Sequence, residues 1–263
     1  KVLALSDLEA YWEFKDGAGS TTVADSSPNS RTGNIVSGAG LSPGIIGDAL
    51  TLDGNGDYVQ LNASAYKGVT GTAARTMVAW IKKNTTGANL NDGGIMSWGT
   101  NSSSQKWVWR LVGSGDRLRV ETANGGVESS LVGGKDLNDG QWHQVVAVFD
   151  PAIAGSNHNS FQFYIDGVLQ GIQNNSGAAV NTASSANVRI GTDRVTANNN
   201  TRDFNGQIDD AFIVSRSLSS AEIQDLYTGS LTGTGSNARG SFMQVLQDGG
   251  GPNFGGGGNF AAR

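Results

Sequence analysis

The side chains able to do chemistry are few, and most sit in turns. The chain has no cysteine and 2 histidines, His143 and His158, which excludes disulfides, thiolate metal sites and a cysteine nucleophile. Neither histidine stands in a nucleophile–base pattern. His143 follows Trp142 at the head of an apolar run and reads as a hydrogen-bonding anchor for a turn. Asp53, Asp57, Asp116, Asp139 and Asp166 all lie in turn-forming stretches, where an aspartate bonds its own backbone. Cleaving a glycosidic bond needs two carboxyl groups roughly 5–10 Å apart across a sugar. Acids two or four apart on one strand would supply that pair. No such cluster is present, and the chain is expected not to be an enzyme.

Two other groupings can bind without reacting. Trp107 and Trp109 are two apart, so on a strand they project from one face, and Trp98 on the preceding strand can join them. Exposed, the three would form a stacking platform for sugar rings. Facing inward, they would fill the roughly 10 Å between two packed sheets. The stretch 25–34, with Asp25 and Asn29, offers the carboxylate, amide and hydroxyl oxygens that calcium takes six to eight at a time. The same side chains can instead cap turns through their own backbone.

Positioning these residues falls to many short strands. Glycine makes up 39 of 263 residues, about twice the usual share, and apolar runs are brief and alternating. Strands are expected at 8–14, 48–53, 58–61, 75–82, 94–98, 106–111, 117–121, 142–149, 160–165, 168–171, 187–191 and 206–214. The runs at 48–53 and 58–61 read as a hairpin about Gly54-Asn55-Gly56-Asp57. Met77, Ala79 and Ile81 share one face of their strand; Val78 and Trp80 share the other. One helix is expected at 219–227, with Ser219 as its cap. This is the pattern of an all-β, two-sheet antiparallel sandwich or jelly roll with one short C-terminal helix.

Several segments, in order, carry a family resemblance: Trp12-Glu13-Phe14, Gly47-Asp48-Ala49-Leu50, Ala79-Trp80-Ile81-Lys82, Asp139-Gly140-Gln141-Trp142-His143, Tyr164-Ile165-Asp166-Gly167, Gly206-Gln207-Ile208-Asp209-Asp210 and Ser219-Ser220-Ala221-Glu222. Together they resemble bacterial laminin-G-like domains of the concanavalin A-like lectin/glucanase superfamily over residues 8–229. The resemblance implies that the 25–34 loop lies beside Asp209 and that Asp25, Asn29 and Asp209, with Asp16 and Asp210, hold a structural calcium ion. It leaves function open, since one such fold serves many.

Residues 1–7 form an N-terminal extension, and 230–263 a Gly-rich linker and tail with one apolar β-type segment at 241–247. Such a tail either folds back on its own sandwich or docks on a neighbouring subunit, with Phe242, Val245, Leu246, Phe254 and Phe260 as its apolar contacts. The expected function is therefore a non-catalytic extracellular binding or adhesion module for a glycan or surface ligand. The alternative is a self-assembling subunit of an extracellular filament or surface layer. A net charge of −5 opposes nucleic-acid binding, and no apolar run is long enough to span a bilayer. The first residue is Lys1, and no signal peptide is visible; a mature or trimmed bacterial product, secreted or at the cell surface, is expected.

Overall fold

The computed structural model describes residues 2–61, 66–88, 92–113, 117–122, 125–130, 136–185, 187–195 and 202–229. The strands are β1 (Leu8–Trp12), β2 (Thr22–Val23), β3 (Gly33–Val36), β4 (Gly40–Pro43), β5 (Asp48–Asp53), β6 (Tyr58–Leu61), β7 (Arg75–Lys83), β8 (Asp92–Gly99) and β9 (Lys106–Val112). They continue as β10 (Arg117–Glu121), β11 (Gly126–Ser130), β12 (Trp142–Phe149), β13 (Phe161–Ile165), β14 (Val168–Leu169), β15 (Gly171–Gln173), β16 (Arg189–Ile190) and β17 (Asn205–Val214). Helix α1 spans Pro151–Ala154 and α2 spans Ser220–Thr228.

All pairings are antiparallel and make two layers. The first sheet runs β14-β13-β12-β7-β17-β5-β4, with β1 also on β17; the second runs β15-β11-β10-β9-β8-β16-β6-β3-β2. Alternation dictates which side chains meet between them. Met77, Ala79 and Ile81 of β7 and Val145, Ala147 and Phe149 of β12 face Trp98, Trp107, Trp109, Leu118 and Val120 of the other sheet. The opposite face of the first sheet, with Val78, Val146, Val148, Phe212 and Val214, is covered by Ile223 of α2 and by Val2 and Leu8. Helix α2 begins in a capping box: Ser219 Oγ accepts from Glu222 N, and Glu222 returns to the Ser219 N–H.

One expectation fails in an informative way. Residues 48–53 and 58–61 are not a hairpin. Strand β5 pairs with β4 and β17 in the first sheet, whereas β6 pairs with β3 and β16 in the second. Both strands carry inward apolar residues, Leu50 and Leu52 against Val59 and Leu61. The turn therefore passes from one layer to the other, and each strand buries its apolar face against the shared core. The expected strands do not include β2, β3, β4, β11 or most of β15; β3, β4 and β11 are four or five residues long and each holds Gly with Ser or Asn.

Candidate functional site

The three tryptophans proposed as a platform are wholly buried. Trp98 and Trp107 stack with centroids 5.3 Å apart, and the indole N–H groups of Trp98 and Trp107 donate to Val69 O (3.0 Å) and Met77 Sδ (3.1 Å). The shared face of Trp107 and Trp109 is the inward one, because the interlayer space demands large side chains and Lys106, Val108 and Arg110 take the other side. Trp98, Trp107 and Trp109 are core residues and meet no ligand.

The residues proposed for calcium do not converge. Asp25 accepts from Tyr11 N (2.8 Å), Ser27 N (2.8 Å), Ser27 Oγ (2.8 Å) and Arg31 N (2.7 Å), so both of its oxygens are occupied by donors. Asn29 turns its amide N–H groups to Leu8 O and Glu9 O. Asp16 receives Ala24 N on both oxygens, at 3.0 and 3.1 Å. Asp209 accepts from Ile45 N and Ile46 N at 3.1 Å and from Asp210 N at 2.8 Å, while Asp210 accepts from the Tyr11 hydroxyl. The length of the Tyr11 side chain thus separates Asp25, at its backbone, from Asp210, at its phenol. Among the described residues no group of three or more His, Cys, Asp or Glu could hold a metal ion. This set does not fit calcium: the carboxylate oxygens that would ligate it accept from N–H and O–H donors of the protein.

Asp209 and Asp210 lie together for a backbone reason. Between Asp209 (opposite Trp80) and Phe212 (opposite Val78), β17 carries one residue more than β7, a β-bulge, with Asp210 at φ 45°. Burial, then the neighbouring Asp210, pushes Asp209 up to about 8, against the pull of three amide donors. The expected anchoring role of His143 is met: its ring bridges Asp166 (2.9 Å) and Asp139 (3.2 Å), tying two turns together. Burial opposes its charge, but the two carboxylates raise its pKa.

The tail residues Phe242, Val245, Leu246, Phe254 and Phe260 lie outside the described residues.

The site the structure does offer was not anticipated. A cleft of about 440 Å³ opens where β4 and β5 meet the loop after β7 and the start of β17, a size proper to a small-molecule site. Buried Leu41 and Leu52 back it from the core; Ser42, Thr51, Asp53, Asp57, Asn84 and Asn205 supply polar groups. Asn205 is the keystone. Its amide donates to Thr86 O (3.0 Å) and Ala88 O (2.7 Å) and accepts from Asn84 Nδ2 (2.7 Å), fixing the loop that forms one wall. Gly87, at φ 106°, lets that loop close on Asn205: a Cβ there would fall 2.7 Å from Asn205 Nδ2. Asp57 is buried and accepts from Gly38 N (2.7 Å) and Asp53 N (3.2 Å). Burial raises its pKa, and the Asp53 carboxylate adds to the rise. Asp53 and Asn84 are exposed. Asp53 contributes one oxygen to Asn55 N (2.8 Å) and shares a side-chain hydrogen bond with Asp57.

Chemically this arrangement can hold a polyhydroxylated ligand. It pairs a carboxylate and an amide with the Ser42–Thr51 hydroxyl pair (2.6 Å) over a small apolar surface. It is poorly built for hydrolysis, since Asp57 is closed off by backbone N–H groups and stands on the same turn as Asp53, not across a substrate. No sequence signal announces the site, because its residues are spread from 38 to 205 and join only through the layer crossing at 54–57. The outer face of the second sheet is charged, but there the charges are paired with one another. Arg110 pairs with Asp92 and Glu121, Lys106 with Glu121, and Arg117 and Arg119 with Glu128 (3.1 and 2.6 Å). Burial works against ionised Glu121, yet Lys106, Arg110 and Arg119 hold it at about 2.

Comparison with known proteins agrees with this architecture. Domain 4 of AbnA, a GH43 extracellular arabinanase from Geobacillus stearothermophilus solved in complex with arabinotriose, superimposes with a TM-score of 0.59 at 18% identity, over 84% of this chain and 98% of that one. The binding domain of Paraclostridial Mosquitocidal Protein 1 gives 0.57 at 14% identity over 87% of this chain and 53% of that one. The binding domain of botulinum neurotoxin serotype D gives 0.58 at 18% over 85% and 52%. The chain thus spans about half the length of those toxin domains. No curated protein matches the sequence. At these identities the structural likeness speaks for the fold alone, and no helix among the described residues is long and apolar enough to cross a membrane. A laminin-G-like family model, described as the concanavalin A-like lectin/glucanases superfamily, matches residues 53–224; the chain belongs to this family.

Proposed function

We propose that this chain is a non-catalytic extracellular binding module that takes a neutral saccharide in the cleft between β5 and the loop after β7. The observation that carries the reading is the cleft itself: exposed Asp53 and Asn84 line it together with the Ser42–Thr51 hydroxyl pair, on walls held by Asn205. A carboxylate, an amide and hydroxyls match the alternating donors and acceptors of sugar hydroxyls. No cation faces them from the cleft lining, so an acidic ligand would find no partner there. The superposable arabinanase domain was solved with arabinotriose, which supports a saccharide ligand.

The test is calorimetric titration with neutral oligosaccharides, arabino-oligosaccharides first, after a glycan-array screen. Asn84→Ala and Asp53→Ala should each weaken binding by roughly tenfold, the effect of losing one hydrogen bond to ligand. Failure of every neutral saccharide to bind, or affinities untouched by both substitutions, would remove this reading.

A further inference from the structure

Three of the large apolar side chains left exposed among the described residues, Val168, Leu169 and Ile172, fall within five positions. They occupy β14 and β15, the terminal strands of the first and second sheets, so the free edges of both layers run together here. Register says where the side chains point. Val168 stands opposite Ile165, a core residue, and Ile172 opposite buried Ser129, two positions from core residue Val127. Both therefore face the gap between the layers, while Leu169, opposite Tyr164, faces the outer side with α2. An edge apolar on both lips of a sandwich is a template for another strand.

The end of α2 lies beside this edge. A Cβ on Gly167 would sit 2.7 Å from Gln224 Oε1 and 3.3 Å from Tyr227 Cδ1, so the last turns of the helix touch the residue before Val168. The chain leaves α2 at Gly229, two positions after Tyr227. Eleven residues, 230–240, lead to Ser241–Gln247, and fully extended they reach roughly 35–40 Å. In that segment Phe242 and Leu246 alternate with Met243 and Val245, apolar on both faces, as a strand lying against both lips of the edge requires.

We infer that residues 241–247 dock on Val168–Gln173 of the same molecule as an added edge strand, covering the apolar opening of the sandwich. The linker starts at the edge it must reach, so docking in place raises the local concentration of the segment far above that of any second copy.

The chain lacks cysteine, so introduced thiols report cleanly. In the full chain, Leu169→Cys with Val245→Cys should form an intramolecular disulfide at least about tenfold faster than a control pair of Ile153→Cys with Val245→Cys. Equal rates overturn the inference, as do disulfide-linked dimers, which would place the segment on a second copy. Independently, Val245→Asp with Leu246→Asp should speed hydrogen exchange of amides 168–173 by about tenfold or more while leaving β7 unchanged. Unaltered exchange at 168–173 overturns it too. Neither experiment depends on saccharide binding.

Discussion

Trp107 lies between Trp98, stacked at 5.3 Å, and the Arg75 guanidinium, 4.6 Å from its ring centroid. Arg75 is itself wholly buried and donates to the carbonyls of Val69 (2.6 Å), Gly71 (2.9 Å) and Ala73 (2.9 Å). Burial lowers its pKa to about 9. Trp107 is therefore a packing residue for both a neighbouring indole and a cation. Trp107→Ala should lose about 3–5 kcal/mol, measured by urea unfolding; a variant as stable as the parent chain would show the indole is not buried. That Trp107 and Trp109 share a face was legible from their spacing. Which face was not, since an alternating strand is the same pattern viewed from either layer.

At the scale of elements, the loop between β1 and β3 is held by side-chain to backbone hydrogen bonds. Asp25 joins it to β1 through Tyr11 N, and Asn29 joins it through the carbonyls of Leu8 and Glu9. The oxygen-rich composition that suggests a cation site is the same composition that builds turns, and only the direction of the N–H donors separates the two. Accordingly, calcium and EDTA should leave the melting temperature unchanged. Asp25→Ala should cost about 1–3 kcal/mol by stranding amide donors. A calcium-dependent rise in melting temperature in the parent chain, lost in Asp25→Ala, would restore the metal reading. The bulge at Asp209–Asp210 shows the same limit. The sequence displays two adjacent acids, but the extra residue that β17 carries there shows only in its pairing with β7.

Over the whole molecule, two buried groups act in opposite directions with pH. His158 bonds Thr122 Oγ1 (2.9 Å) and Ser176 Oγ (2.8 Å), and burial, with Arg119, lowers its pKa to about 4. A folded-state value below the unfolded one means its stabilisation is complete above about 6.5 and is lost as pH falls toward 4. Asp209, raised to about 8, does the reverse: its contribution is complete below about 4 and is lost as pH rises through 8. Between about pH 4 and 6.5 the two slopes oppose, so the parent chain should show a shallow profile there. His158→Gln should expose the Asp209 limb, a steady fall in stability from about pH 4 to 8. Asp209→Asn should expose the His158 limb, a rise from about pH 4 to 6.5. Chemical denaturation across this range decides it, and profiles parallel to the parent in both variants would refute the assignment. Above 6.5 the His143 ion pairs, favoured by its raised pKa, weaken as pH rises.

The sequence by itself determined the all-β class, the hairpins β9–β10 and β13–β14, the two-sided character of β7, the capped helix and the family. These follow from local periodicity, turn chemistry and capping, which act over a few residues. The tertiary structure alone decided that β5 and β6 lie in different layers, that the tryptophans face inward, and that Asp53, Asn84 and Asn205 line one cleft. Such choices depend on contacts between segments from about 30 to more than 150 residues apart. Burial of both apolar faces against one shared core selects among registers and layers that local patterns leave equivalent.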